Sequence, residues 1–327
     1  DLESNVRIIY TFADLFKSIL SVTFTFISEE LQTVRALLMK VGILGANGFI
    51  GRRSVELWQN VDEIEVCPIV RSAERIEQMG WSNLDCRVAN ALDQSALQQA
   101  FQGCDTVIHS VLGSPGLIRA SAVSAYKAAE SAGVRRLIYL STMCVHGQAP
   151  APGTTESSIL RKPQPFPYNS AKIDAERKLL QMRKRGSVEV VFFRPGIVFG
   201  PRSRWITELA DELVQGTAYL IEGGTGICNT IYIDNLVHAM RLAITATDVD
   251  KEALFVGEQE RVTWAEFYHP IAMALGIDPT QISHISAPKF KQSWKKKLVK
   301  TIWDSVIVQQ VLSLLSDDLK KNIKGFL

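Results

Sequence analysis

Short apolar runs alternate with longer amphipathic stretches from Met39 onward. The runs have the length of strands, and the stretches between them have the period of helices. Strands are predicted at residues 40–44, 65–70, 86–89, 106–110, 136–141 and 189–193. Helices are predicted between them at 50–59, 72–79, 94–101 and 120–132, with a further helix that ends near Arg183. Because such alternation is typical of parallel sheets, the pattern predicts an α/β fold with one doubly wound sheet of six strands.

The pattern becomes less regular after Pro195. Helices are predicted at 205–215, 234–245 and 263–275, a short strand at 231–233 and a glycine-rich turn at 223–226. This part is expected to form a smaller C-terminal lobe over the carboxyl edge of the sheet, where open α/β sheets bind ligands. The predicted units are an N-terminal extension (1–38), the doubly wound domain (39–198, completed by 228–258), a substrate lobe (199–227 and 259–290) and a C-terminal tail (291–327).

Both ends of the chain contain apolar stretches. The first, residues 10–27, is interrupted by Asp14 and Lys17, and its uncharged part is shorter than the about 20 apolar residues of a spanning helix. It is interpreted as a peripheral helix or as an extension upstream of Met39, with an interfacial membrane anchor as the alternative. The tail is basic and then apolar at helical spacing, which favours a docked amphipathic helix over a helix on a membrane surface.

The composition is that of a globular protein, with 46% hydrophobic and 21% charged residues and a formal net charge of +2. A nearly neutral chain gives no reason to predict nucleic acid as a partner. The five cysteines are odd in number and never spaced as CxxC, which argues against a disulfide framework and against a zinc site. We therefore predict a cytoplasmic protein with reduced thiols and no bound metal.

A glycine-rich turn joins the first predicted strand to the first predicted helix. Residues 45–51 read GANGFIG. Glycine permits a tight turn and a close approach to a pyrophosphate, and the helix N-terminus supplies N–H donors. The turn is therefore predicted to bind a dinucleotide in a Rossmann-type domain, with glycines that serve only packing as the alternative. The residues predicted to contact the cofactor here are Gly45, Asn47, Gly48, Phe49, Ile50 and Gly51.

Arg71 follows the second predicted strand. NAD-binding proteins usually carry an acid at this place for the ribose hydroxyls, and an acid would repel a 2′-phosphate. A guanidinium instead binds a phosphate through two parallel hydrogen bonds. The sequence therefore favours NADP over NAD, with a solvated arginine at the start of the next helix as the alternative.

Tyr168 and Lys172 are four residues apart and share one face of a predicted helix. A tyrosine with a pKa near about 10 is a poor base at neutral pH, and a nearby ammonium is expected to lower that pKa. Ser141 and Thr142 end the fifth predicted strand, so their hydroxyls are expected at the ligand-binding edge. We predict Tyr168 as general acid and base, Lys172 as the residue that tunes it and Thr142 as the hydrogen-bond partner of the reacting oxygen.

These motifs resemble those of the extended short-chain dehydrogenase/reductase family, the NAD(P)-dependent epimerase/dehydratase group. The resemblance extends from Met39 to about Ile285. The segments that carry it are GANGFIG (45–51), STMCVHG (141–147), YNSAK (168–172), FRPGIVFGP (193–201) and IYIDNLVHA (231–239). It implies that Thr142 orients the substrate oxygen, Tyr168 exchanges its proton and Lys172 holds the nicotinamide ribose.

Further cofactor contacts are implied by the same resemblance. Pro195 and Gly196 correspond to the segment that packs against the nicotinamide. Asn90 and the adjacent Ala91 correspond to the segment near the adenine, where relatives often carry an aspartate instead of Asn90. The resemblance also implies a small-molecule substrate and a homodimer that forms through the helix of Tyr168.

Several positions depart from the family pattern. Met143 and Cys144 stand where sugar-nucleotide dehydratases carry an acidic pair, which argues against dehydration. Cys228 stands where many nucleotide-sugar epimerases carry an arginine that binds the diphosphate. That substrate class is weakened, unless Arg202, Arg204 or a C-terminal lysine substitutes.

Three functions remain open. The first is hydride transfer at a secondary alcohol or ketone carbon by an oxidoreductase or epimerase, with a sugar nucleotide as one candidate substrate. The second is a 3β-hydroxysteroid-dehydrogenase-like or other small-ketone reductase, a branch that residues 234–238 and 264–267 resemble. The third is a non-catalytic NADP-binding regulator. His109 and His146, near the ends of two strands, border the substrate or are hydrogen-bonded structural residues, and the second interpretation is favoured.

Overall fold

The computed structural model describes residues 38–286. Its strands are β1 (Met39–Leu44), β2 (Ile64–Val70), β3 (Arg87–Val88), β4 (Thr106–His109), β5 (Arg136–Leu140), β6 (Glu189–Pro195), β7 (Ile197–Phe199), β8 (Tyr219–Ile221), β9 (Thr230–Tyr232), β10 (Ala253–Val256) and β11 (Ser283–Ile285). Its α-helices are α1 (Phe49–Trp58), α2 (Ala73–Met79), α3 (Gln94–Ala100), α4 (Pro115–Ala132), α5 (Pro167–Arg183), α6 (Arg204–Val214), α7 (Ile233–Thr245) and α8 (Trp264–Ala274). The predicted N-terminal extension, apart from Leu38, and the predicted C-terminal tail lie outside the described residues.

The central sheet confirms the predicted α/β fold. Its seven strands are parallel and lie in the order β10–β6–β5–β4–β1–β2–β3. Leu44, the last residue of β1, lies beside Ile69 of β2 on one side and His109 of β4 on the other. The strand order changes direction at this point, and such switch points leave a crevice for a ligand at the carboxyl ends of the strands.

Several elements differ from the sequence prediction, which did not include the short strands β7, β8 and β11. The predicted number of six sheet strands is wrong, because β10 pairs with β6 as a seventh. Its four residues are only half-buried, so they lack the apolar pattern that marks the inner strands. Helix α4 begins at Pro115 rather than at residue 120, because the side chain of Ser114 accepts from the N–H of Leu117 and proline suits the first helical turn.

Apolar side chains cover both faces of the sheet. On one face Ile118 of α4 and Leu179 of α5 are fully buried against the strands. On the other face Val55 of α1 and Leu236 of α7 are fully buried. Burial on both faces is the usual environment of parallel sheets, and it fixes the positions of the strand ends where the candidate site lies.

A separate apolar cluster lies in the smaller lobe. Leu209 and Leu213 of α6 pack with Leu220 of β8 and Ala272 of α8. Two short sheets complete this region, one of β8 with β11 and one of β7 with β9. The lobe therefore has its own small core, while the predicted boundaries between the units stay a prediction. Among the helices between residues 38 and 286, none is long and apolar enough to cross a lipid bilayer.

Candidate active site

The glycine turn between β1 and α1 has the shape that a dinucleotide needs. Gly45 has a φ of +87°, in the left-handed region that favours glycine. A Cβ on Gly51 would lie 2.4 Å from the carbonyl oxygen of Gly45, so α1 starts in direct contact with the turn. No side chain of the described residues caps α1 at Gly48. Because the first N–H groups of a helix have no intrahelical partner, this end of α1 fits a pyrophosphate.

Ser110, the residue after β4, holds the turn in place. Its hydroxyl donates to the carbonyl oxygen of Leu44 at 2.9 Å and to that of Gly45 at 3.3 Å. On the other side, the N–H of Gly45 donates to the carbonyl oxygen of Ile69 at 3.2 Å. The sequence analysis missed this role of Ser110, for which the only signal was a small polar residue at the end of a strand.

Arg71 and Asn90 follow β2 and β3 at the same edge of the sheet as the glycine turn. The Arg71 side chain is exposed. The Oδ1 atom of Asn90 accepts from the N–H of Leu92 at 3.0 Å and so shapes the turn that precedes α3. The adjacent Ala91 is buried. These placements fit the predicted adenosine side of the site, and the individual contacts stay predictions.

Thr142 and Tyr168 meet at the carboxyl edge of β5. Thr142 follows β5 and caps a short 3₁₀ turn, Met143–His146, by accepting from the N–H of Cys144 at 3.2 Å. Tyr168 is the second residue of α5, directly after Pro167, whose fixed φ suits the first position of a helix. The first turn of α5 therefore lies at the carboxyl end of β5, and the phenol of Tyr168 hydrogen-bonds with the hydroxyl of Thr142.

Lys172 lies one helical turn after Tyr168 and is buried. Its Nζ donates to the carbonyl oxygen of Leu140, the last residue of β5, at 2.6 Å. The same atom lies 5.9 Å from the ring centre of Tyr168 and 4.7 Å from that of Tyr139. The structure thus brings the three predicted catalytic side chains to one place, and their catalytic roles stay a proposal.

Burial is the largest influence on the pKa values of Tyr168 and Lys172. It raises the pKa of Tyr168 to about 12, an effect that a hydrogen bond with Thr142 partly opposes. It lowers the pKa of Lys172 to about 7, which the carboxylate of Glu176 partly opposes. The expectation of a lowered pKa for Tyr168 is therefore wrong in this arrangement, because burial raises that pKa more than the hydrogen bond with Thr142 lowers it. A phenol with this pKa keeps its proton at neutral pH and is suited to donate it.

Pro195 and Gly196 continue from the end of β6 toward the smaller lobe. The N–H of Gly196 donates to the carbonyl oxygen of Val256 at 3.0 Å. A Cβ on Gly196 would lie 2.3 Å from the carbonyl oxygen of Asn229, so a side chain has no room there. This close approach explains the glycine, and the predicted contact with the nicotinamide stays a prediction.

His109 and His146 pack against or hydrogen-bond with neighbouring side chains of the fold. His109 is fully buried, its Nε2 lies 3.1 Å from the hydroxyl of Ser121, and burial lowers its pKa to about 3. It is therefore a neutral core residue rather than a border of the substrate site. His146 lies at the end of the 3₁₀ turn, where its ring packs edge-on against Phe255 with 5.3 Å between the ring centres.

A buried ion pair that the sequence analysis missed lies behind Lys172. Glu176 and Arg194 are 1% and 4% exposed, and the Arg194 Nη2 donates to the Glu176 Oε2 at 2.6 Å. Glu176 is four residues after Lys172, so its position on the same helical face was the available signal. Charged residues are rarely buried, and only the fold reveals that these two are paired in the interior.

The next residues to consider are Cys228, which replaces the diphosphate-binding arginine of many nucleotide-sugar epimerases, and the two arginines considered as its substitutes. Cys228 is 1% exposed, and burial raises the pKa of its thiol to about 12. The Nη2 of Arg202 lies 2.7 and 2.6 Å from the two carboxylate oxygens of Glu56. Arg204 pairs with Glu208 one turn along α6. The two arginines considered as substitutes for a diphosphate-binding residue are therefore already paired with carboxylates.

Relatives with a known activity resemble this chain over about half to three quarters of its length. It is 28% identical over 158 residues to a UDP-glucose 4-epimerase of Vibrio cholerae, a match covering 48% of each chain, so it spans about half the length of that relative. It is 27% identical over 267 residues to a 2-alkyl-3-oxoalkanoate reductase of Stenotrophomonas maltophilia, covering 73% of this chain and 76% of that one.

Among solved structures, a UDP-glucuronic acid 4-epimerase of Bacillus cereus, in complex with UDP-glucuronic acid and NAD, superposes with a TM-score of 0.64 at 18% identity. The superposition covers 77% of this chain and 87% of that one, and it shows a shared fold. The comparisons confirm the predicted NAD(P)-dependent enzyme class and do not distinguish NAD from NADP. Because the model of the NAD dependent epimerase/dehydratase family matches residues 41–257, the chain belongs to that family, as its motifs predict.

Proposed function

We propose that the protein transfers a hydride between NAD(P) and the carbon of a secondary alcohol or ketone. The observation that carries this proposal is the convergence of Thr142, Tyr168 and Lys172 at the carboxyl edge of the sheet, the same edge that carries the glycine turn. Membership of the family supports it. A non-catalytic regulator would not need these three side chains together, so that alternative is not favoured.

In the reducing direction, Tyr168 donates its phenolic proton to the ketone oxygen. Its pKa of about 12 keeps the proton on the phenol until the oxygen becomes an alkoxide, which is a stronger base. Thr142 donates a hydrogen bond to the same oxygen and so orients the substrate. Lys172, anchored on the carbonyl of Leu140, stabilises the tyrosinate that remains and binds the nicotinamide ribose. When bound, the nicotinamide would supply the hydride in this direction and accept it in the other.

Net oxidoreduction is favoured over epimerisation. The similarity to the 2-alkyl-3-oxoalkanoate reductase extends over 73% of the chain, which supports a ketone as substrate. Cys228 is neutral and cannot pair with the diphosphate of a nucleotide sugar, and the guanidinium of Arg202 is paired with Glu56. The second candidate is an epimerase that acts on a sugar nucleotide, which the similarity to the UDP-glucose 4-epimerase supports.

NADP is the preferred cofactor in this proposal. Arg71 is exposed just beyond β2, at the sheet edge that carries the glycine turn, and a guanidinium there suits a 2′-phosphate. A cytoplasmic location and a homodimer formed through α5 stay predictions from the sequence.

A substrate screen tests the proposal. Aliphatic 3-oxoacids, a hydroxysteroid and two UDP-sugars are each incubated with NADH and with NADPH, while nicotinamide absorbance and the products are measured. We expect a 3-oxoacid to be reduced with stoichiometric loss of NADPH. Interconversion of UDP-sugars without net change in the nicotinamide would replace the reductase with the epimerase. Absence of both reactions, in protein that binds NADPH, would contradict the proposed function.

A further inference from the structure

The ion pair between Glu176 and Arg194 is held on several sides. The two side chains make a bidentate contact, because the Nε of Arg194 also donates to the Glu176 Oε1 at 3.1 Å. Glu176 accepts a further hydrogen bond from the hydroxyl of Ser141. A carboxylate with this many donors in the interior has a fixed position, since any displacement breaks charged hydrogen bonds between buried groups.

Arg194 extends the same network toward the segment that follows β5. Its Nη1 donates to the carbonyl oxygen of Glu156 at 2.8 Å and lies 3.2 Å from the Nε2 of His146. The carboxylate of Glu156 accepts from the N–H of Phe255 in β10 at 3.1 Å. One hydrogen-bonded network therefore connects α5, β5, β6 and β10 with the segment between β5 and α5.

Three residues of this network, Ser141, Glu176 and Arg194, each lie beside a residue of the proposed site in the sequence or on the helix. Ser141 directly precedes Thr142, and Arg194 directly precedes Pro195. Glu176 lies one helical turn after Lys172. We propose that Glu176 is a positioning residue of the reaction, because its contacts with Ser141 and Arg194 hold Thr142 and Lys172 in the arrangement required for proton transfer. This inference rests on the proposed function.

The charge of Glu176 has a second effect on the same site. The titratable groups that face Lys172 from the elements around it are Glu176 and Tyr168 of α5, Tyr139 of β5 and His109 of β4. Those that face Glu176 are Arg194 of β6, Tyr139 of β5 and His146 of the 3₁₀ turn. Burial keeps the tyrosines and His109 neutral at pH 7, so Glu176 is the carboxylate in this group that favours the charged form of Lys172.

The test compares Glu176→Gln with Glu189→Gln. Glu189 also accepts from a buried arginine, the Nε of Arg136 at 2.8 Å, but both residues begin their strands and lie at the opposite edge of the sheet. The control therefore removes a carboxylate from an ion pair with a buried arginine far from the proposed site, and the Glu189 side chain, at 30% exposed, is less buried than that of Glu176. For each variant, kcat and KM are measured across pH with the ketone and NADPH, and urea unfolding is measured without substrate.

For Glu176→Gln we expect a fall in kcat of about tenfold or more, since small displacements of reacting groups have large effects on rate. The KM for NADPH should change less than twofold. Loss of the carboxylate should also move the alkaline limb of the kcat profile to lower pH by about one unit, because Lys172 then loses its proton earlier. Glu176→Asp, which keeps the charge, should restore the position of that limb, and Glu189→Gln should leave both kcat and the profile unchanged.

The inference is overturned if Glu176→Gln matches Glu189→Gln in kcat and pH profile and differs only in its urea midpoint, since Glu176 would then be purely structural. An inactive parent protein would instead contradict the proposed function. If Glu176→Gln does not fold, Ser141→Ala removes one hydroxyl from the network. A fall in kcat of about threefold or more, at an unchanged KM for NADPH, supports the inference in that case, and an unchanged kcat overturns it.

Discussion

A methyl group at Gly51 is expected to weaken cofactor binding more than it weakens the fold. In Gly51→Ala the new Cβ would lie 2.4 Å from the carbonyl oxygen of Gly45 and 2.9 Å from the Cα of Ala46. Both atoms belong to the backbone, so the turn must move away from α1. That movement displaces the N–H groups that would face the pyrophosphate.

Two contributions of opposite sign determine how Gly51→Ala changes the free energy of unfolding. Forcing a methyl into a packed contact costs about 1–3 kcal/mol, while alanine stabilises a helix by roughly 1 kcal/mol relative to glycine. The free energy of unfolding should therefore fall by about 0–2 kcal/mol. The displaced turn should lower NADPH affinity by about tenfold to a hundredfold, because each 1.4 kcal/mol of lost binding free energy is roughly a factor of ten in Kd.

Isothermal titration with NADPH and urea unfolding measure the two quantities separately. The control is Gly133→Ala, at a helix end with a φ of +75° and no atom within 4 Å of the added Cβ. The control should lose some stability through backbone strain and keep its affinity for NADPH. If Gly51→Ala lost stability but kept the parent Kd, the glycine would serve packing alone and the cofactor assignment of the turn would be refuted.

Three further variants test other parts of the account. Arg71→Ala should raise the KM for NADPH about tenfold and leave that for NADH within twofold, and equal effects on both would contradict a role at the 2′-phosphate. Because burial lowers the pKa of Lys172 from 10.5 to about 7, the folded protein binds fewer protons than the unfolded chain between these values, and its free energy of unfolding rises with pH there. Lys172→Met should reduce that rise in urea titrations at pH 7 and 9, and an unchanged rise would contradict the burial of a titrating lysine. Ile118→Ala, which removes a fully buried side chain, should lower the free energy of unfolding by about 2–5 kcal/mol in the same assay, and a change below about 1 kcal/mol would contradict the packing described for α4.

The order of strands and helices could be predicted from the sequence because inner strands are continuously apolar. Strand β1 and the glycine turn after it were recognisable for this reason. Strand β10 was not, since it is short, lies at the sheet edge and is half-buried. Local pattern therefore identifies buried inner strands most readily and gives a weaker signal for short edge strands such as β10.

Parts of the candidate site depend on tertiary contacts that no local pattern records. Tyr168 and Lys172 could be paired from their spacing, but the pKa of each follows from burial, which only the fold sets. Glu176 and Arg194 are 18 residues apart on different elements and meet in the interior. A charged residue in a sequence is normally interpreted as exposed, so this pair could not be predicted.

Tyr168→Phe removes the phenolic hydroxyl and retains the ring, so it tests directly whether Tyr168 is the proton donor. The measurement is kcat with the best ketone of the substrate screen and NADPH, alongside the Kd of NADPH. The account predicts a fall in kcat of about a hundredfold to ten-thousandfold with a Kd within twofold of the parent, since general acid catalysis contributes that much to such a step. A variant that kept the parent kcat would contradict the assignment of Tyr168 as the proton donor.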